Sequence, residues 1–331
     1  MSRISSELIV IKLKIFYEYF LSQFRKKSFC KSLFINIKRL CFYLQNVKKF
    51  NQFGHLLTHF PLSESHKFKI KLSPLSNYLS RVFPLESVLL ILFENYTFIE
   101  QQFSASTIEK IFCDGLECWR YDIYSIRLIK TKVDDYEGSF ALIFNVNEKK
   151  IYTLAFSFAK SVIIPGQWAI YIARKQGERG MLLESKKTAK AFNDNKIITL
   201  VLAAVEGLAL ALDIRQIIGV GTINQLSNCK IEMRETFIHL YDDYWETQES
   251  IKLENGDYLL PVPMLFKPLD IIPAHHKKRT LIKRQRRQEI SLAVRKLVES
   301  VMLIEIAGNK GHYPSIKVLK TISLFNEEES P

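Results

Sequence analysis

The sequence has few of the residues that mark metal-binding or disulfide-rich proteins. It contains only five cysteines in 331 residues, an odd and scattered set. Cys113 and Cys118 lack the paired spacing of a zinc site, and the seven histidines supply no companion cluster. We therefore expect free thiols in a reducing compartment and no bound metal.

Long apolar runs and processing signals are also scarce. The longest apolar run, 197–212, is interrupted by Glu206. A helix of that length spans about 24 Å, which is shorter than the roughly 30 Å hydrocarbon core of a bilayer. The apolar run near the N-terminus is interrupted by Lys12 and Lys14, and no small-residue cleavage site follows it. We expect a cytoplasmic protein in which 197–212 is a buried helix.

Positive charge is abundant and unevenly placed. The net charge is +13, and residues 1–70 hold thirteen basic side chains against three acidic ones. Residues 275–300 hold nine basic against two acidic side chains, while the part between these segments is close to neutral. Such basic ends favour partners that carry phosphate, namely lipid headgroups, nucleic acid or a phosphorylated cofactor. A solvated surface that only keeps the protein soluble is the simpler alternative.

The chain divides into three predicted segments. Residues 1–75 mix aromatic side chains with cations, which is typical of a helix on an anionic membrane surface and also of a helix packed on its own domain. Membrane binding by this basic helical extension would place the protein at the periphery of the inner membrane. Residues 76–292 form the main domain, and residues 293–331 form a C-terminal helix and tail.

The main domain is predicted to be α+β. Two helices over 85–112 precede strands at 119–130, 139–146, 149–159 and 167–174. A long helix over 185–212 and a short apolar strand at 216–222 follow. Three antiparallel strands would thus feed a strand, loop, helix and strand unit.

The loop between that strand and the long helix is a candidate phosphate site. Unpaired N–H groups at a helix start attract anions, and glycine lets the backbone approach a ligand. The candidate cofactor-binding residues are Arg174, Gln176, Gly177, Arg179 and Gly180. The loop is neither a Walker A nor a G-x-G-x-x-G sequence, and an ordinary loop is the alternative.

Two resemblances extend this interpretation. The order strand, R-x-x-G loop, helix and strand is similar to the acyl-CoA site of GNAT-type N-acyltransferases, although Arg179 stands where that family has a small residue. The stretches "IYTLAFSF", "YIARKQG", "YDDYWE", "GDYLLPVPM" and "IIPAHHKKRTLIKRQRRQEI" resemble, in order, the VirK/YbjX family of Gram-negative bacteria.

These resemblances imply a GNAT-like mixed sheet flanked by helices and a role in virulence, envelope stress and resistance to antimicrobial peptides. They imply acyl transfer from acyl-CoA or acyl carrier protein. A non-enzymatic adaptor that binds anionic lipid or a partner protein is the alternative function. A nucleic-acid or DNA-damage stress-response factor is the third choice.

An acyltransferase needs a base for the acceptor amine and a proton donor for the departing thiolate. Candidate proton donors are Tyr241, Tyr244 and His239, and the alternative for the tyrosines is aromatic packing. Glu206 is a candidate base, and the alternative is a buried carboxylate that faces a basic partner. The early part of the last basic segment supplies candidate anion- or lipid-binding cations: Lys277, Lys278, Arg279, Lys283, Arg284, Arg286 and Arg287.

Overall fold

The computed structural model describes residues 29–227 and 234–302, apart from the side chains of 29–34, 234–237 and 239. Three helices open this part of the chain: α1 (Phe29–Gln45), α2 (Val47–Leu56) and α3 (Glu64–Leu72). The later helices are α4 (Leu85–Gln102), α5 (Ala105–Cys113), α6 (Leu182–Ala191), α7 (Ile197–Ala211), α8 (Arg234–Glu246) and α9 (Ala274–Val301).

Eight strands form one mixed sheet. They are β1 (Leu116–Tyr121), β2 (Tyr124–Lys130), β3 (Phe140–Val146), β4 (Lys149–Lys160), β5 (Trp168–Gly177), β6 (Gln216–Gly219), β7 (Ile251–Lys252) and β8 (Tyr258–Pro261). Their order across the sheet is β1-β2-β3-β4-β5-β6-β8-β7. All neighbours are antiparallel except β5 and β6, which run parallel because α6 and α7 connect them.

The predicted α+β fold with a mixed sheet flanked by helices is confirmed. The N-terminal region is helical from residue 29 onward, and residues 1–28 lie outside the described part. The helices predicted over 85–112 are α4 and α5, and the Ser104 hydroxyl caps α5 by accepting a hydrogen bond from the Thr107 N–H at 3.3 Å. No helix in the two described stretches is long and apolar enough to cross a membrane.

Two predicted elements are divided in the structure. The strand predicted over 119–130 is a hairpin of β1 and β2, because Asp122 adopts a positive φ of 51° and reverses the chain. The helix predicted over 185–212 is interrupted between α6 and α7. There Asn193 and Asp194 both have φ of 57°, a left-handed conformation that ends a right-handed helix.

One continuous apolar core runs through the described chain. It extends from Phe42 in α1 to Val298 in α9, while Ala141, Ile143 and Ala155 of β3 and β4 form a second, smaller cluster. The predicted segment boundary near residue 75 falls inside the continuous core, since Leu75 belongs to it. The predicted boundary near residue 292 falls inside α9. Both boundaries stay predictions about domain organisation.

A close crossing of α7 and α9 fixes the position of the basic helix. A Cβ atom at Gly207 would lie 2.2 Å from the Ser291 carbonyl oxygen, so only glycine permits this approach. Ile290, Val294 and Val298 on the later half of α9 are buried. The earlier, basic half of α9 therefore continues toward the N-terminal end of α7.

Candidate functional site

The parallel strands β5 and β6 separate at one end of the sheet. Their last paired residues are Ile172 and Gly219, and the Val220 N–H then donates to the Ile172 carbonyl at 2.9 Å. Strand β5 continues to Gly177 beyond this point, while the chain after β6 turns away. Helix α8 contacts the free side of β5 there.

Two glycines after β6 allow α8 to pack closely. A Cβ atom at Gly219 would lie 2.4 Å from Trp245 Cε2, and one at Gly221 would lie 1.9 Å from the Gly256 carbonyl oxygen. The buried Asp257 carboxylate accepts hydrogen bonds from the Gly221 N–H at 3.0 Å and from Asn224 Nδ2 at 2.9 Å. The loop after β6 is thus held rigidly, and it fixes the aromatic side of α8 against β5.

A buried lysine lies where α8 meets the end of β5. Lys175 Nζ donates to the Leu240 carbonyl oxygen and lies 4.0, 4.8 and 5.0 Å from the ring centres of Tyr244, Tyr241 and Trp245. No carboxylate of the described residues is within ion-pair distance of Lys175.

The charge state of Lys175 is set mainly by burial. Burial, opposed by Asp242 and Asp243 and reinforced by Lys196, lowers the pKa of Lys175 to about 7. Sequence reasoning missed this residue. The only available signal was a lysine near the end of an otherwise apolar strand.

The predicted catalytic tyrosines come together around this lysine. Burial, together with the negative charge of Glu137, raises the pKa of Tyr241 to about 12. Burial also raises the pKa of Tyr244 well above its ordinary value. Both rings pack in the cluster with Trp245, so aromatic packing and chemistry are compatible at these positions. The side chain of His239 lies outside the described residues.

A cavity of about 590 Å³ is lined by Arg174, but the pocket that Tyr244 enters is a different one. We call it the α7 pocket, and its volume is about 470 Å³. Its polar lining includes Asn195, Lys196 and Thr199 at the start of α7, Tyr244 of α8, and Lys283, Arg284 and Arg287 of α9. Lys267 and the carboxylates of Asp194 and Glu249 also line it, so the cations outnumber the acidic side chains.

The α7 pocket contains polar groups that no described residue satisfies. Asn195 is only 4% exposed, yet its Nδ2 atom has no hydrogen-bond partner there. The Arg287 Nε atom and the Tyr244 hydroxyl are also buried without a partner of normal geometry, although the Thr199 hydroxyl lowers the pKa of Tyr244 somewhat. No side chain caps the first turn of α7. Open N–H groups, partial positive charge and several cations together suit a phosphate.

Arg287 joins the pocket to Glu206. Burial lowers the pKa of Arg287, while Tyr244 and Glu206 raise it. The guanidinium lies 4.8 Å from the Phe266 ring centre. Glu206 is 8% exposed, and its Oε1 atom accepts a hydrogen bond from the Met264 N–H at 2.7 Å. Burial raises the pKa of Glu206, and the hydrogen bond from Met264 and the charge of Arg287 oppose this shift.

Most of the chain matches one known protein family. The family model described as a protein of unknown function (DUF535) matches residues 25–292, which is most of the chain. The chain belongs to the DUF535 family. No curated protein and no solved structure matches it. The DUF535 match contains β5, α7, α8 and the basic part of α9, so the α7 pocket lies within the family region.

The predicted cations of α9 have different surroundings in this DUF535 chain. Lys283, Arg284 and Arg287 line the α7 pocket. Arg279 is paired with Asp194, and Arg286 is paired with Glu289 at 2.8 Å. No ion pair joins Lys277 or Lys278 to another described residue.

The predicted phosphate loop is separate from the α7 pocket. Arg174 pairs with Asp135 at 2.6 Å and with Glu137 at 3.6 Å. Gln176 and Gly177 belong to β5, and a Cβ atom at Gly177 would make only ordinary contact with Tyr152 at 3.9 Å.

Arg174, Gln176, Gly177 and Arg179 line a smaller cavity of about 320 Å³, and the end of the loop leads into a short helix. Arg179 and Gly180 are exposed, and Gly180 has a positive φ of 81°. The helix that follows is the ten-residue α6, and the long apolar helix α7 begins later. A role for these loop residues in cofactor binding stays a prediction.

Proposed function

We propose that this DUF535 protein, of the family known as VirK/YbjX, is an acyltransferase that acts in the response to envelope stress. The donor is a thioester that carries phosphate, either acyl-CoA or acyl carrier protein. The observation that carries this proposal is the α7 pocket, which combines a free helix start, unsatisfied buried donors and five cations against two carboxylates. Tyr244 connects this pocket to Lys175 of β5.

Phosphate binding is assigned to the N-terminal end of α7. The first N–H groups of the helix and Asn195 Nδ2 donate to phosphate oxygens, and Lys196, Lys283 and Arg287 balance the charge. This site replaces the 176–180 loop as the preferred location, because Arg174 is already paired with acidic residues.

The acyl group then lies toward Tyr244 and Lys175. The neutral acceptor amine attacks the thioester carbonyl, so that a C–N bond forms and the C–S bond breaks. Tyr244 is assigned to donate a proton to the departing thiolate, because its hydroxyl is unsatisfied at the pocket. The proton that the nitrogen loses returns to the Tyr244 oxygen after this hydroxyl has protonated the thiolate. The Lys175 ammonium, 4.0 Å from the Tyr244 ring centre, packs against this ring and positions it. Glu206, which is held by the Met264 N–H, is assigned to stabilise the charged form of Arg287, whose pKa it raises.

Replacement of Arg287 tests the phosphate assignment. We expect Arg287→Gln to weaken binding of acyl-CoA by about tenfold to a hundredfold, since a charge-assisted hydrogen bond contributes that much. Isothermal titration with acyl-CoA and with inorganic pyrophosphate measures the change. Arg286→Gln is the matched control, because Arg286 is the neighbouring cation and does not line the pocket.

The same titration separates the two possible phosphate sites. Arg179→Ala should leave binding unchanged if the α7 pocket holds the phosphate. A loss of affinity in Arg179→Ala with none in Arg287→Gln would move the site to the loop. Absence of binding of acyl-CoA, of pyrophosphate and of acyl-loaded carrier protein by the unmodified protein would contradict the proposed function itself.

The adaptor remains the second candidate function. Lys277 and Lys278 favour it, because their charges are not neutralised by ion pairs with described residues. An adaptor would bind anionic vesicles or a partner protein without catalysing acyl transfer. Acyl-transfer assays with a range of amines therefore distinguish it from the enzyme.

A further inference from the structure

One face of α9 leads from the α7 pocket to the surface. Thr280, Lys283, Arg284 and Arg287 line the pocket and are three or four residues apart, so they share a face of the helix. The same spacing places Lys277 one turn further toward the start of α9. The pocket is therefore continued outward by positive charge.

The surface beside the pocket mouth combines these cations with exposed apolar side chains. Leu281 is 48% exposed and follows Lys277 by four residues, and Leu265, which lines the pocket, is 61% exposed. Lys278 is also exposed. We call Lys277, Lys278, Leu281 and Leu265 the mouth surface.

The two carboxylates that line the α7 pocket beside the mouth surface, Asp194 and Glu249, are already engaged in ion pairs. Asp194 pairs with Arg279, and Glu249 pairs with Lys267 at 3.4 Å. Residues 277–288 contain seven cations and no acidic side chain. The mouth surface therefore presents net positive charge and fits a partner with acidic side chains.

An inserted membrane helix requires a continuous apolar stripe, and α9 does not offer one to solvent. Its regularly spaced apolar residues, Ile290, Val294 and Val298, are buried in the core. Single-stranded nucleic acid is bound through exposed aromatic rings. The aromatic ring at this site, Phe266, is covered by Arg284 at 5.1 Å and Arg287 at 4.8 Å.

We propose that the mouth surface docks an acidic carrier protein and that the phosphopantetheine arm of this carrier enters the α7 pocket. The acidic surface of the carrier pairs with Lys277 and Lys278, while Leu281 and Leu265 supply a small apolar contact. The phosphodiester at the base of the arm reaches the start of α7. This inference rests on the proposed function, because it selects the carrier-bound donor over free acyl-CoA.

Charge reversal of the mouth surface tests the docking. The double variant Lys277→Glu/Lys278→Glu should bind acyl-loaded carrier protein at least about tenfold more weakly, because opposed charges become like charges. Its affinity for acyl-CoA should change by less than about twofold, since neither lysine lines the pocket. Lys186→Glu/Lys187→Glu on α6 is the matched control, with the same charge change at exposed positions outside the pocket.

The second measurement uses carrier protein that lacks its phosphopantetheine group. This carrier should bind the unmodified full chain more weakly than the loaded carrier does, yet remain sensitive to the double reversal. Binding of acyl-CoA without binding of carrier, or carrier binding that is insensitive to the reversal, overturns the docking and leaves the proposed function standing. Reversal-sensitive binding of anionic vesicles in place of carrier would identify a membrane surface and also overturn it. Absence of both acyl-CoA and carrier binding contradicts both proposals.

Discussion

Gly207→Ala is expected to lower the free energy of unfolding by about 3 kcal/mol, because the added methyl group would overlap the backbone of α9. The Cβ atom would lie 2.2 Å from the Ser291 carbonyl oxygen and 3.0 Å from Val294 Cβ. A backbone oxygen inside a helix cannot move away as a flexible side chain can. Alanine favours helix formation by about 1 kcal/mol over glycine, which is too little to offset this overlap.

Urea denaturation measures the loss, and Gly177→Ala is the matched control. The Gly177 position offers room, since the nearest atom to an added Cβ is Tyr152 Cδ2 at 3.9 Å. We expect the control to change the free energy of unfolding by less than about 0.5 kcal/mol. Equal effects of the two changes would show that α9 does not cross α7 at Gly207.

The same variant connects packing to the site. Because α9 supplies Lys283, Arg284 and Arg287 to the α7 pocket, a displaced α9 would spread these cations away from the start of α7. Gly207→Ala should therefore lose pyrophosphate affinity even under conditions where it remains folded. A variant that is destabilised but binds pyrophosphate normally would separate the pocket from the helix crossing.

Much of the fold is readable from the sequence because local patterns specify it. The hairpin between β3 and β4 follows from Asn147, which with Glu148 adopts the positive φ that such a turn needs. The apolar run of α7 predicts a buried helix, and the structure buries it. The break before α7 was missed although Asn193 and Asp194 carry its signal, since both residue types tolerate left-handed backbone.

The site was less predictable because distant segments assemble it. Lys175 lies in a β-strand pattern, and its surroundings come from α8, more than sixty residues later along the chain. Asn195 and Lys196 fall inside the helix predicted over 185–212, and only the placement of α8 and α9 beside them makes them part of a pocket. The cations of α9 were all visible, but which of them enter the pocket depends on the angle at which α9 crosses α7.

Lys175→Met is expected to remove a large part of the pH dependence of stability. In the unfolded chain a lysine has a pKa of about 10.4. Burial lowers the pKa of Lys175 to about 7 in the folded protein. Between these two values the unfolded state holds a proton that the folded state has lost, so the free energy of unfolding rises with pH across this window. Below pH 7 both states are protonated, and the full penalty of burying the ammonium is present.

The size of this effect follows from the shift. At about 1.4 kcal/mol for each unit of pKa, burial of the protonated lysine costs roughly 3 to 5 kcal/mol below pH 7. Methionine keeps a long apolar side chain among Tyr241, Tyr244 and Trp245 but cannot be charged. Lys175→Met should therefore be more stable than the unmodified protein at pH 6, and the two proteins should approach each other toward pH 10.

Lys130→Met serves as the control, because burial lowers the pKa of Lys130 to about 8 in a different part of the sheet. It should remove a smaller rise that begins about one pH unit later and should leave the contribution of Lys175 in place. Urea denaturation at intervals from pH 6 to pH 10 measures both slopes. Asp242 and Asp243 of α8 raise the pKa of Lys175, and Lys196 at the start of α7 lowers it. Neutralising either aspartate should therefore increase the cost of burying the protonated lysine. If the free energy of unfolding of Lys175→Met depends on pH as it does in the unmodified protein, water reaches the ammonium of Lys175. In that case Lys175 is not buried among the rings of Tyr241, Tyr244 and Trp245 and does not fix the position of Tyr244.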